Sequence, residues 1–208
     1  MKDNKKHKKA EYGILITGLI ILLAATFVTA LCAGQYSVSV PEVTKILASR
    51  FVNVTKTWSN TAEGVVFTLR LPRIIGAVLV GSALSLSGAA YQGVFKNPLV
   101  APDLLGVSSG ACVGASVAIL LHLNSFGVQA MAFVAGILAV GLTLFIPRLI
   151  KNTNMTMLVL SGIIVKGIMD SVMGIIKYVA DPETELQSIT YWQLGSLTKV
   201  LPKDLFTV

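Results

Sequence analysis

Charged residues are scarce in this chain of 208 residues, because Asp, Glu, Lys and Arg together make up only 13% of it. Soluble domains usually carry about 25% charged residues. Hydrophobic residues reach 54%, and the mean hydropathy is +0.76. This composition excludes an ordinary soluble domain and predicts a membrane protein with several spanning helices.

Cysteine and the motifs of common enzymes are also scarce. The two cysteines, Cys32 and Cys112, lie in separate apolar segments with no second thiol or histidine near either. That spacing excludes a metal site, so we interpret both as small buried hydrophobic residues. The sequence contains no G-x-x-x-x-G-K-[ST] loop, no H-E-x-x-H motif and no recognisable Ser/His/Asp arrangement. We therefore predict no catalytic residues, no metal, no cofactor and no ATP hydrolysis in this chain.

The net charge of +7 is arranged as a membrane topology signal, which argues against a nucleic-acid partner. Five lysines stand among the first nine residues, ahead of an apolar run, and most other cations lie between apolar runs. Because cytoplasmic flanks are rich in Lys and Arg, residues 1–13 are predicted to be a basic cytoplasmic tail. The run Ile14–Ala33 is about 20 residues long, longer than the apolar region of a signal peptide, and is predicted to be the first span.

Five apolar runs predict an all-α bundle of transmembrane helices over residues 14–208. The predicted spans are Ile14–Ala33, Arg73–Phe95, Leu104–Leu121, Phe126–Ile146 and Met155–Val179. With alternating spans, Gln35–Thr68 falls outside the cell, and Pro41 within it opens a short amphipathic helix. Leu201–Val208 has the pattern of a helix start, so we expect a sixth span and a chain that is truncated or part of a longer protein.

Small residues recur every four positions in the second and third spans. They are Ala77, Gly81, Ser85, Ala89 and Gly93 in the second, and Gly106, Gly110, Gly114 and Ala118 in the third. Residues four apart share one face of a helix, and small side chains let membrane helices approach closely. The stripes predict either a tightly packed core around a transport path or generic membrane packing.

A polar, proline-broken hinge separates these two spans and contains Asn97, Pro98, Pro102 and Asp103. Proline cannot continue a helix and disfavours helix in the residue before it. Non-helical backbone at membrane depth is tolerated only inside protein or beside a water-filled cavity. Asp103 is predicted to cap the helix that follows. The alternative is a simple cytoplasmic turn.

Two charged residues, Lys166 and Asp170, lie mid-way along the fifth predicted span. A lysine at the centre of a bilayer costs about 2.5–3.5 kcal/mol on insertion scales, so its presence needs a physical reason. At a spacing of four residues the two side chains can pair on one helix face. They are therefore candidates for lining a transport path, or else a self-neutralising pair buried between helices.

Six ordered motifs extend over most of the chain after residue 13. They are Leu-Arg-Leu-Pro-Arg at 69–73, Gly-Ser-Ala-Leu at 81–84, Asn-Pro-Leu at 97–99, Leu-Gly-Val-Ser-Ser-Gly-Ala at 105–111, Leu-Ser-Gly-Ile at 160–163 and Tyr-Trp-Gln-Leu-Gly-Ser-Leu at 191–197. In this order they closely resemble the FecCD-type permeases. These are the membrane subunits of bacterial ABC importers for ferric siderophores, haem and cobalamin.

The resemblance implies the fold of the cobalamin-importer permease, with ten spans in a longer chain. It implies a second permease subunit in a homodimer or heterodimer, two cytoplasmic ATP-binding subunits and an extracytoplasmic substrate-binding protein. It also implies that Arg70 and Arg73 pair with acidic side chains of that binding protein. Interfacial anchoring or contact with phosphate is the alternative for these two arginines.

The resemblance further implies a transport subunit, not an enzyme, in the bacterial cell membrane with a cytoplasmic N-terminus. The expected cargo is an iron complex, with a ferric siderophore first and haem or cobalamin next. Lys166 and Asp170 depart from the small or apolar residues that are common in the fifth helix of this family. We hypothesise that Lys166 favours an anionic cargo. The alternative function is an ion-coupled secondary transporter with broken helices.

Overall fold

The computed structural model of the chain describes residues 2–98, 101–152, 154–198 and 200, with side chains from Glu11 onward. Every regular element among these residues is helical, which confirms the predicted all-α class. The helices are α1 (Lys2–Cys32), α2 (Val40–Ala48), α3 (Asn60–Gly64), α4 (Leu71–Phe95), α5 (Val107–Leu120), α6 (Ser125–Leu149), α7 (Met155–Val179) and α8 (Glu185–Leu194). A π-helical turn at Val65–Arg70 joins α3 to α4, and a 3₁₀ turn at Pro102–Leu105 precedes α5. The predicted sixth span at Leu201–Val208 lies outside the described residues.

Within the described residues, four helical stretches are long and apolar enough to cross a membrane, namely Glu11–Cys32, Asn60–Phe95, Ser125–Leu149 and Met155–Val179. They correspond to the first, second, fourth and fifth predicted spans. The third predicted span differs, because α5 has only 14 residues. At 1.5 Å per residue it is about 21 Å long, whereas the hydrocarbon core of a bilayer is about 30 Å thick.

Two helices extend beyond their predicted spans. α1 begins at Lys2, so residues 2–13, the predicted tail, continue the first spanning helix. The second spanning helix begins at Asn60, where the Ser59 hydroxyl accepts the Ala62 N–H at 3.0 Å. The Ser59 side chain satisfies one of the free N–H groups at the helix start. The helix therefore begins well ahead of the apolar run from which its span was predicted.

The chain divides into two compact units, and the division falls within α4. The first unit comprises residues 1–79 and 197–208, and its core joins α1, α2 and α3. The buried residues of this core are Leu31, Val38, Val43, Ile46, Trp58, Ala62 and Val66. In α2, Pro41 stands in the first turn, and Val43 and Ile46 are buried on one face, which confirms the amphipathic helix.

The second unit comprises residues 80–196 and contains α5, α6, α7 and α8. Asparagines start two of its helices. Asn124 accepts the Gly127 N–H at 2.8 Å at the start of α6, and Asn154 accepts the Met157 N–H at 2.8 Å at the start of α7. The completely buried Ile189 packs α8 against the C-terminal end of α7. These helices position the residues of the hinge.

Candidate functional site

Arg70, the first predicted docking residue, is bound to the backbone of its own chain. Its Nη1 donates to the carbonyl oxygens of Leu31 at 2.6 Å and Cys32 at 3.1 Å, and its Nη2 donates to the carbonyl oxygen of Tyr36. The last carbonyls of a helix have no partner within the helix. Arg70 therefore caps the C-terminal end of α1 with a positive charge, where the helix dipole favours it.

Gly34 makes room for this guanidinium. Its φ is +149°, and a Cβ atom there would lie 2.5 Å from Nη2 of Arg70. Only glycine populates such a backbone conformation readily, and only glycine leaves the space. The arginine and the glycine thus form one local arrangement at the end of α1.

Arg73, the second predicted docking residue, is in a different state. It is half-buried, and its Nε atom is buried without a hydrogen-bond partner in the described part of the chain. A buried donor left unsatisfied costs about 1–3 kcal/mol. Of the two arginines, Arg70 is therefore the one whose guanidinium is held by hydrogen bonds within the described part of the chain.

The hinge interrupts the α-helical path between α4 and α5, as its prolines predict. Lys96, with φ of +48°, ends α4, and the Asn97 N–H donates to the Gln92 carbonyl at 3.3 Å. Pro102 then opens the 3₁₀ turn, and Gly106, at a left-handed φ of +73°, separates this turn from α5. Residues 99 and 100 lie outside the described part of the chain.

Three contacts hold the 3₁₀ turn against α6 and α7. The hydroxyl of Thr143, a completely buried residue of α6, donates to the Leu105 carbonyl at 2.9 Å. Gly162 of α7 faces Leu104 so closely that a Cβ atom would collide with the Leu104 carbonyl oxygen. Lys166 Nζ lies 3.2 Å from Asp103 Oδ2.

The last contact corrects two predictions. Asp103 does not cap a helix, since neither the 3₁₀ turn nor α5 has a side-chain cap at its start. Lys166 pairs with Asp103 and not with Asp170, for which no ion pair occurs among the described residues. The physical reason is that the 3₁₀ turn brings the Asp103 carboxylate alongside α7, a long-range approach that spacing along one helix cannot reveal.

The two predicted small-residue stripes behave differently. A Cβ atom on Gly110 of α5 would lie 2.5 Å from the Cβ of Ala139, and one on Gly114 would collide with the backbone carbonyl of Met131. At these two glycines α5 therefore lies close against α6. In α4, a Cβ atom added at Gly81 or Gly93 would have no atom of the described residues within 4 Å. Ser85 is exposed and donates its hydroxyl to the Gly81 carbonyl of its own helix at 2.8 Å.

A cavity of about 510 Å³ lies beside α4, α5 and α6. Its walls include Tyr91, Val107, Phe133, Ile137 and Leu144. These side chains are almost entirely apolar, so the cavity offers little that could orient a polar cargo. The polar groups around the 3₁₀ turn are the stronger candidate site.

Sequence reasoning missed Thr143 as a site residue and noticed Gly162 only as part of a motif. A hydroxyl in the middle of an apolar span is a usable signal, because in lipid such a group seeks a carbonyl or another polar partner. The identity of that carbonyl, 38 residues away in sequence, was not readable from the chain.

Comparison with known proteins decides the family. Residues 21–208 match the FecCD transport family. The chain belongs to this family. Among FecCD-like relatives, it is 34% identical over 185 residues to the molybdate import system permease protein MolB of Haemophilus influenzae, covering 89% of this chain and 54% of that protein.

Two further similarities bear on the FecCD assignment. The hemin transport system permease protein HmuU of Yersinia pestis is 38% identical over 137 residues, covering 62% of this chain and 40% of that protein. A solved metal-chelate type ABC transporter in an inward-facing conformation superposes with a TM-score of 0.76 at 31% identity, covering 94% of this chain and 57% of that one. The chain thus spans about half the length of the proteins it matches.

Proposed function

We propose that this chain forms part of the membrane permease of a bacterial ABC importer whose cargo is a chelated metal ion. The match to the FecCD transport family over residues 21–208 carries the proposal. The importer would use separate cytoplasmic ATP-binding subunits, an extracytoplasmic binding protein and a second permease subunit. The N-terminus would lie in the cytoplasm, in keeping with its lysines.

A ferric siderophore is the first candidate for the cargo, followed by haem and cobalamin. The relatives differ in their named cargo, which includes molybdate and hemin. Asp103 and Lys166 neutralise each other, and Asp170 adds a carboxylate one helical turn from Lys166. Because this cluster carries an excess of one negative charge, it offers little attraction to a small oxyanion and weakens the hypothesis that Lys166 draws in an anionic cargo.

The proposed docking role now rests mainly on Arg73. Unlike Arg70, Arg73 forms no side-chain hydrogen bond among the described residues, so its half-buried guanidinium is the one of the two that is available to pair with a carboxylate of the binding protein. Arg70 would act by holding the end of α1 and the neighbouring loop in place. This division of roles revises the expectation that both arginines contact the partner.

An uptake experiment tests the proposed function. The full-length permease, reconstituted with its ATP-binding subunits and binding protein, should accumulate a radiolabelled ferric siderophore only when ATP is supplied. Haem, cobalamin and molybdate, each tested separately, would identify another cargo. Accumulation that follows an ion gradient and ignores ATP would instead support a secondary transporter, the alternative that a turn between broken helices also favours.

A further inference from the structure

The 3₁₀ turn reaches the middle of a spanning helix. Lys166, which pairs with Asp103, lies eleven residues after Met155, the first residue of α7. At 1.5 Å per residue this distance is about 16 Å along the axis, close to half of a hydrocarbon core of about 30 Å. The turn at Pro102–Leu105 therefore lies at membrane depth, and this explains why α5 is too short to cross the bilayer by itself.

Uncharged contacts hold the end of this turn. The Leu105 carbonyl accepts from Thr143, and Gly162 lets α7 approach the Leu104 carbonyl closely. The Asp103–Lys166 pair is the contact that joins the start of the turn to α7. This gives a physical reason for a lysine at a depth where its charge is costly.

The Asp103–Lys166 pair is also open to its surroundings. The side chains are 54% and 46% exposed, although their neighbours Leu105 and Val165 are almost completely buried. Charged side chains within spanning segments face the bundle interior or a water-filled cavity. The exposed side of this ion pair therefore faces the interior of the helix bundle or water, and not lipid.

We propose that Asp103 and Lys166 line a water-filled section of the transport path and act as positioning residues by joining the 3₁₀ turn to α7. The role in transport rests on the proposed function, whereas the ion pair and its exposure to water do not. The pair fixes the position of the 3₁₀ turn along the transport path. Asp170 takes no part in this contact.

A charge exchange tests the pairing. In the full-length permease, Asp103→Asn and Lys166→Met should each lower ATP-driven uptake about tenfold, and the double variant Asp103→Lys/Lys166→Asp should return it to within about threefold of the wild type. Glu183→Gln, which removes an exposed carboxylate beyond the end of α7, is the control and should stay within about twofold. Uptake by the exchanged variant no better than by the single variants would overturn the proposal, as would an equal loss in Glu183→Gln.

Two readouts do not depend on transport. The melting temperature of the purified permease should fall in each single variant and recover in the exchanged one. In a variant with Cys32 and Cys112 replaced by Ser, Lys166→Cys should react with a membrane-impermeant thiol reagent, whereas the buried Val165→Cys should not. If the wild type shows no uptake, the proposed function fails while these readouts still decide the pairing. The proposal would be refuted if Lys166→Cys did not react with the reagent, or if the melting temperature did not recover in the exchanged variant.

Discussion

α5 and α4 carry the same sequence signal and meet different surroundings. Both have a small residue every four positions, yet Gly110 and Gly114 of α5 lie against the backbone of α6, while Gly81 and Gly93 of α4 have no neighbour within 4 Å of an added Cβ. The two arginines show the same contrast, because Arg70 is bound to carbonyls and Arg73 has an unsatisfied Nε. The sequence pattern thus predicts which contacts a residue is able to make. Long-range packing determines whether the residue makes them within its own chain.

The largest effect should come from filling the α5 contact. Gly114→Leu would place a side chain where the Met131 carbonyl already stands, and backbone cannot move aside as a flexible side chain can. We expect the free energy of unfolding to fall by about 3 kcal/mol, measured by denaturation of the purified protein in detergent. The control is Gly88→Leu in α4, because a Cβ atom added at Gly88 would have no atom of the described residues within 4 Å. Equal losses in both would break the comparison.

Removing the bound arginine should rank second. Arg70→Ala would leave the carbonyls of Leu31, Cys32 and Tyr36 without their charged donor, so we expect a loss of about 2 kcal/mol in the free energy of unfolding. Arg73→Ala should leave stability nearly unchanged and weaken binding of the substrate-binding protein, measured by titration of that protein onto the permease. A large loss of stability in Arg73→Ala, with normal binding, would reverse the assignment of roles.

Local signals in the sequence were sufficient for much of the fold. Pro41 and the spacing of Val43 and Ile46 predicted α2, and the apolar run after Asn154 predicted α7. These features depend on residues within one or two helical turns, where composition and spacing act directly. Four of the five spans, the amphipathic helix α2 and the break between α4 and α5 were therefore predictable.

The candidate site was less predictable because its contacts join distant parts of the chain. Lys166 and Asp103 are 63 residues apart, and Thr143 and Leu105 are 38 apart. Sequence spacing offered Asp170 as the partner of Lys166, since a local pair is the only one that helix geometry can suggest. The length of α5 was missed for the same reason, because the left-handed Gly106 starts the helix later than the apolar run implies.

The hydroxyl of Thr143 should have a moderate effect. Thr143→Val keeps the shape and removes the donor to the Leu105 carbonyl, so we expect a loss of about 1 kcal/mol, within the range of hydrogen bonds between membrane helices. Thr26→Val is the matched control, because its hydroxyl bonds only to carbonyls of its own helix. The difference between the two variants in detergent denaturation measures what the link from α6 to the 3₁₀ turn contributes. No difference would mean that Gly162 and the ion pair fix the turn without Thr143.

The smallest effect, and the most informative, should come from the open stripe of α4. A Cβ atom added at Gly81 would meet no atom within 4 Å in the described part of the chain, and leucine is a better helix former than glycine. We therefore expect the stability of Gly81→Leu to stay within about 1 kcal/mol of the wild type or to rise slightly. Denaturation in detergent beside Gly114→Leu makes the measurement, with the same side chain added to both stripes. A loss as large as that of Gly114→Leu would mean that the α4 stripe is packed in the purified protein. The contrast between α4 and α5 would then not hold for the purified protein, and the shared sequence pattern would have correctly predicted close packing in both helices.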